Sequence, residues 1–115
     1  MSDVKFFQWE TKSFEAIIEG SDAPLAGWRQ VVVSLGQNGR EKVVIRVDDG
    51  EANEHLTVDE SNNMLVISLD QYMTGMFVSG VCDIQVNILY YDSERDTTYE
   101  ETIEVLKNLH KQEMS

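Results

Sequence analysis

Carboxylates are the side chains that this sequence concentrates enough for chemistry. Asp48, Asp49, Glu51 and Glu54 crowd one segment, and Asp92, Glu94 and Asp96 crowd another, with Glu100, Glu101 and Glu104 following. Oxygen-rich segments of this kind can hold calcium, which takes roughly six to eight oxygen ligands converging on one point. Tested against the EF-hand spacing, Asp92, Glu94 and Asp96 fill the first, third and fifth positions. Thr97 stands where the invariant glycine belongs and Ile103 where the bidentate glutamate belongs. The match fails where it is specific, so this segment reads as a solvated hairpin tip, a place that favours Asp and Ser in any case.

The other reactive side chains are sparse. His55 and His110 are the only imidazoles, and neither has a second candidate ligand at a metal-binding spacing. Cys82 is the single cysteine, so no intrachain disulfide or thiolate zinc cluster can form. It is in phase with Ile84, Val86 and Ile88, which makes it a buried structural thiol. No nucleophile-elbow or Walker glycine pattern occurs. Gly36-Gln37-Asn38-Gly39 matches the GxxG loop of KH domains only in letters, because that loop joins helices and this segment joins strands. The expectation is a non-enzymatic protein with no cofactor and no metal.

Charge narrows the partners. With 21 acids against 9 bases the formal net charge is -12, which repels phosphate backbones and anionic membranes and attracts basic surfaces. Direct nucleic-acid binding and membrane association are not expected. The acidic groups at Asp48, Asp49, Glu51, Asp92, Glu94 and Asp96 have two readings. They keep a small protein soluble, or they occupy a basic groove built for phosphate. Phe6, Phe7 and Trp9 also have two readings, as anchors for a partner or as residues that close the end of a core. Neighbours on a strand face opposite ways, so one of Phe6 and Phe7 is expected outside.

The elements that must position these residues are strands. Phe14, Ala16 and Ile18 mark a half-buried strand that ends at Gly20-Ser21-Asp22-Ala23-Pro24. Asn38-Gly39 stands between Val31-Val32-Val33-Ser34-Leu35 and Val43-Val44-Ile45-Arg46-Val47. It is the preferred pair for a two-residue type I′ turn, whose central residues both need positive φ. The hairpin arms run from about Trp28 to Gly36 and from about Glu41 to Val47, with Lys42 and Arg46 facing out. Leu56 and Val58 mark a short strand, and Leu65, Ile67 and Leu69 another. Asp70 caps a helical turn through Gln71-Tyr72-Met73-Thr74 that Gly75 ends. Val81 to Tyr91 is the longest apolar alternation and belongs at the centre of a sheet. Tyr99, Ile103 and Val105 mark a last strand beside it, after a turn at Asp92 to Asp96.

These signals predict an all-β, antiparallel β-sandwich of about seven strands with one short helical turn, over residues 1–107, followed by a tail at 108–115. Met1 to Trp9 has no basic start followed by an apolar stretch, and no run approaches the ~20 apolar residues of a spanning helix. Without a signal peptide or transmembrane segment, the protein is expected to be soluble and cytosolic at synthesis.

Three segments carry a family resemblance: Val31-Val32-Val33-Ser34-Leu35-Gly36-Gln37-Asn38-Gly39, Leu65-Val66-Ile67-Ser68-Leu69-Asp70-Gln71 and Asp83-Ile84-Gln85-Val86-Asn87-Ile88-Leu89-Tyr90. From Gly20 to Leu106 their order resembles small proteins encoded in the tail-gene region of phages and prophages of Gram-positive bacteria. Asp70 stands where that family tends to have threonine, and the chain beyond Leu106 differs. The resemblance implies an immunoglobulin-like sandwich that acts as a tail, baseplate or virion component, assembling with other phage structural proteins or with itself. It transfers no functional residues. The competing expectation is an acidic phage-encoded inhibitor of a basic, nucleic-acid-binding host defence protein.

Overall fold

Period-two alternation of Val, Ile and Leu with polar residues puts one face of each strand in water and the other in a core. A computed structural model describes residues 4–18, 25–92 and 96–107 of the chain, and in it these stripes face one another across two sheets. The elements in order are β1 (Lys5–Phe7), β2 (Lys12–Ile17), β3 (Trp28–Gln37), β4 (Arg40–Asp48), β5 (Leu56–Asp59), a 3-10 turn (Glu60–Asn62), β6 (Met64–Leu69), α1 (Gln71–Thr74), β7 (Gly80–Tyr90) and β8 (Asp96–Leu106). One sheet has the order β1-β8-β7-β3-β4 and the other β2-β6-β5. The core between them includes Phe14 and Ile18 of the smaller sheet's side, Val31, Val33 and Leu35 of β3, and Cys82, Ile84, Val86 and Ile88 of β7. Each large apolar side chain removed from water there is worth about 1.5–3 kcal/mol, and their number is what makes the sandwich stable without a disulfide.

The turn chemistry is as the residues dictate. Asn38 and Gly39 have φ of 55° and 77°, and Gln37 pairs with Arg40 across them, which is the two-residue hairpin. Val31 then pairs with Val47, Val33 with Ile45 and Leu35 with Val43, so both apolar stripes point inward. β7 lies between β3 and β8 as a central strand, and all five of Cys82, Ile84, Val86, Ile88 and Tyr90 are buried. Asp70 caps α1, its Oδ1 accepting from the backbone N–H of Tyr72 at 3.0 Å and of Met73 at 2.9 Å.

Three details depart from the sequence expectations. The described residues form eight strands, the added one being β1. Phe6 is drawn into the core and Lys5–Phe7 runs parallel to Glu104–Leu106, a pairing three residues long with no alternation visible in the sequence. Lys42 does not face solvent. Val43 pairs with Leu35 and Glu41 with Gly36, so Lys42 is the extra residue of a β-bulge, and its ammonium turns to Gln37 Oε1 at 3.1 Å and the Met76 carbonyl at 3.2 Å. Gly75 ends α1 with φ of -70°, so it is not there for a left-handed cap. A Cβ at Gly75 would sit 2.5 Å from the Trp9 ring, so the glycine exists to let the indole lie against the backbone. The link through Glu19 to Pro24, Glu94 of the second acidic group, His110 and the tail at 108–115 lie outside the described residues.

Candidate interaction surfaces

The strands carry the described loops to one of two ends. β7 has eleven residues, about 36 Å of strand, and the chain measures 46 × 26 × 23 Å, so the strands run along its length. At one end stand the Asn38-Gly39 turn, α1 and the segment 75–81. At the other stand the turn at Leu25 to Gly27, the beginning of the β4–β5 loop, and Tyr91 and Asp92 after β7.

The first end is built on Gln37. Its position at the inner end of β3 buries the side chain to 2 % exposure, and a buried amide must find partners for its polar atoms. Gln37 Nε2 donates to the carbonyls of Val78 at 2.8 Å and Val81 at 3.3 Å, while Oε1 accepts from the Val78 N–H at 3.0 Å. Lys42 adds its two bonds from the bulge, and its ammonium lies 5.7 Å from the centre of the Phe77 ring. The bulge is tight enough that a Cβ on Gly36 would collide with the Arg40 carbonyl. Residues 8–10 close the other side. Gln8 Nε2 donates to the Phe77 carbonyl at 2.8 Å, and buried Thr74 donates from Oγ1 to the Glu10 carbonyl at 2.8 Å.

This frame takes in only one residue of the run Met76-Phe77-Val78. Phe77 is buried edge-on against Phe6, with ring centroids 5.7 Å apart. Met76 and Val78 are more than half exposed, as are Val81 on the outer side of β7 and Tyr72 on α1. Phe7 is 44 % exposed on the outer side of β1, while Phe6 is at 0 %. The alternation within Phe6-Phe7 therefore holds, and Phe6 is corrected from a possible partner contact to a core residue. Trp9 is half-buried against Gly75 and belongs to both the closure and the rim. The sequence reading missed Met76, Val78, Val81 and Gln37. The available signal was an apolar run between a helical turn and a strand, with no alternation to bury more than one of its members.

The second end gathers the acids. Tyr91 donates from its hydroxyl to Asp49 Oδ2 at 2.9 Å and from its backbone N–H to the Gly27 carbonyl at 3.0 Å, tying the β7–β8 connection to the β4–β5 loop. Asp48 accepts from Gln30 Nε2 at 2.8 Å, and the Asp49 N–H donates to the Arg29 carbonyl at 2.9 Å. Asp49 thus meets Tyr91 across 42 residues, and Asp92 follows Tyr91 in the chain. Asp49 holds the Tyr91 hydroxyl above the usual tyrosine range, first by accepting its hydrogen bond. Of the second acidic group only Asp92 can be placed in full. Asp96 opens β8 without a described side chain. Glu51 points into solvent at the mouth of a cleft of about 500 Å³ between edge strands β4 and β5, floored by Trp28, Val47 and Leu56.

Elsewhere the reactive groups are occupied. Burial pushes the Cys82 thiol up to about 12, with the Asp83 charge adding to it, so the nucleophilic thiolate is absent at neutral pH. His55 Nδ1 lies 3.0 Å from the Ser68 carbonyl. Among the described residues no three His, Cys, Asp or Glu side chains converge on a metal position. No helix among them is long and apolar enough to cross a membrane.

The sheet order defines the class. Strands β2, β6 and β5 facing β3, β7 and β8, with β4 added at the edge, form an immunoglobulin-like β-sandwich. Known proteins bear on the fold alone. No protein-family model matches the chain. No curated protein sequence matches it either. Among solved structures it is similar to an endo-β-1,4-mannanase from Thermotoga petrophila, with a TM-score of 0.54 and 10% identity over 92% of this chain and 18% of that one. A putative glycoside hydrolase from Bacteroides vulgatus gives a TM-score of 0.49 at 11% identity, over 92% of this chain and 17% of that one. CD84 gives 0.43 at 15% identity, over 91% of this chain and 96% of that one. The chain spans less than a fifth of the length of each of the two enzymes.

Proposed function

We propose that this chain is a non-enzymatic structural or accessory protein of a phage, a tail, baseplate or virion component that works by protein–protein assembly. The observation that carries the reading is the first end, where Phe7, Tyr72, Met76, Val78 and Val81 make up five of the eight large apolar side chains exposed among the described residues. A monomer gains nothing by holding such residues in water on a segment fastened by buried hydrogen bonds, whereas a contact surface does. The resemblance in the three strand-and-turn segments supplies the phage setting. Mass spectrometry of purified particles tests it. The chain is expected among the virion or tail proteins at a fixed stoichiometry, and its absence from particles of a phage that encodes it would sink the reading.

A second reading is favoured by the Tyr91–Asp49 hydrogen bond, which ties the segment that carries Asp92 to the loop that carries Asp48 and Asp49. There the chain is an acidic inhibitor that fills the phosphate-binding groove of a basic host defence protein, with encounter sped by complementary charge and slowed by salt. Reversing Asp48, Asp49, Glu51 and Asp92 to lysine is expected to abolish such inhibition. Inhibition that survived the reversal would remove phosphate mimicry as the mechanism.

A further inference from the structure

We infer that Asn38 is a site of covalent self-modification gated by the β3–β4 hairpin. While the turn is closed the side chain is protected; once the turn opens, it cyclises onto the Gly39 amide, and the Gln37 frame behind the turn is lost. This holds on either reading above and bears on how long the apolar end keeps its shape.

Of the six asparagines in the chain, Asn38 alone is followed by glycine. Asparagine is among the chemically labile residues, and a following glycine has no Cβ to shield its amide nitrogen. The reaction balances with water as its only co-reactant. Gly39 N bonds to Asn38 Cγ, the Cγ–Nδ2 bond breaks, and ammonia leaves with the proton that the Gly39 amide gives up. Water then opens the five-membered imide at one of its two carbonyls, leaving aspartate or isoaspartate at 38. Both reacting residues are exposed, and nothing lies within 4 Å of where a Cβ on Gly39 would stand.

The closed turn forbids the first step. Asn38 has φ of 55° and Gly39 of 77°, and in a type I′ turn, the mirror image of type I, the first central residue has ψ of roughly +30°. That left-handed conformation sets Cβ beside the residue's own carbonyl oxygen, so the next nitrogen lies on the far side of the Cα–C bond. Cyclisation needs that nitrogen on the Cβ side, a rotation of ψ well beyond a right angle. The pairing of Gln37 with Arg40 and of Gly36 with Glu41 holds the rotation back. Behind the turn, buried Gln37 makes three hydrogen bonds to Val78 and Val81, and buried bonds are costly to leave unmade. The two products then part. Aspartate leaves the backbone as it was, and Asp-Gly is itself a preferred pair for this turn. Isoaspartate adds a carbon to the backbone between 38 and 39, for which a two-residue turn has no place, so Gln37 cannot return to its partners.

Peptide mapping by mass spectrometry, after incubation of the full chain folded in buffer and unfolded in urea, tests it. In urea Asn38 is expected to convert ahead of the other five asparagines. In the folded chain its conversion should be slower by ~100-fold or more, because it waits on opening of the hairpin. After the urea is removed, the separated aspartyl product should regain slow amide exchange at residues 76–81, and the isoaspartyl product should not. Equal rates in buffer and in urea overturn the gating. An Asn38 that outlasts the other asparagines in urea overturns the site. Slow exchange at 76–81 in the isoaspartyl product, or fast exchange in both products, overturns the dependence of the Gln37 frame on the intact turn.

Discussion

The two ends of this sandwich are held in opposite ways. At one, the polar groups that matter are buried: Gln37 and Thr74 hold segments 64 or 41 residues away, and apolar side chains are left in water. At the other, an exposed hydrogen bond from Tyr91 to Asp49 and a partly buried one from Gln30 to Asp48 tie the loops, and carboxylates stand at the surface. A buried hydrogen bond is costly to leave unmade, while an exposed one exchanges with water at little cost. The buried Gln37 and Thr74 side chains make the first end the costlier one to disturb. The difference teaches that, on the two readings proposed above, contact by shape falls to the first end and contact by long-range charge to the second.

The contrast between Phe6 and Phe7 should give the largest effect. Phe6→Ala empties a fully buried site and is expected to cost about 3–5 kcal/mol, whereas Phe7→Ala should cost less than about 1 kcal/mol in the isolated chain. Urea unfolding of the two variants checks this, and equal losses would mean that Phe7 is not a surface residue at all. Next comes Gln37→Leu, which leaves the Val78 and Val81 backbone groups and the Lys42 ammonium without their partner. A loss of about 2–4 kcal/mol is expected, together with faster amide exchange confined to residues 76–81. If exchange there stayed slow, the segment would owe its order to something other than the amide.

Asp70→Ala removes the cap of α1 and should cost about 1 kcal/mol, read as a shift in the urea midpoint with an unchanged slope. The substitutions at the acidic end should be the smallest. Tyr91→Phe is expected to stay within about 0.5 kcal/mol of wild type, because its hydroxyl bond is open to water; a larger loss would make that end as structural as the other. Asp59, at the 3-10 turn, adds a pH signature. Hydrogen bonds from the Asn62 and then the Ser61 side chains hold its carboxyl below the ordinary 3.8. Its contribution is therefore present above that value and is lost as pH falls through the lowered one. The stability gap between wild type and Asp59→Ala should be constant near neutrality and narrow as the solution is acidified. A gap that widened in acid would reverse the sign of this argument.

Much of the larger sheet can be read directly from residue order. The Asn38-Gly39 turn, the stripes of β3, β4 and β7, the interior Cys82 and the Asp70 cap all depend on residues within a few positions of one another, and all are in the structure. β1 could not be read, because three residues carry no period and its pairing with β8 spans almost the whole chain. Lys42 was read as outward because strict alternation makes it so, and the bulge beside Gly36 breaks the alternation at that residue.

What the sequence determined by itself is the set of strands and which face of each is apolar, since steric turn preferences and period-two burial act locally. What only the tertiary structure decided is which residues share a surface. Gln37 meets Val78 across 41 residues and Tyr91 meets Asp49 across 42, contacts that exist only once β7 is laid beside β3. The apolar end and the acidic end are both products of that packing, because sheet order alone carries distant loops to the same place.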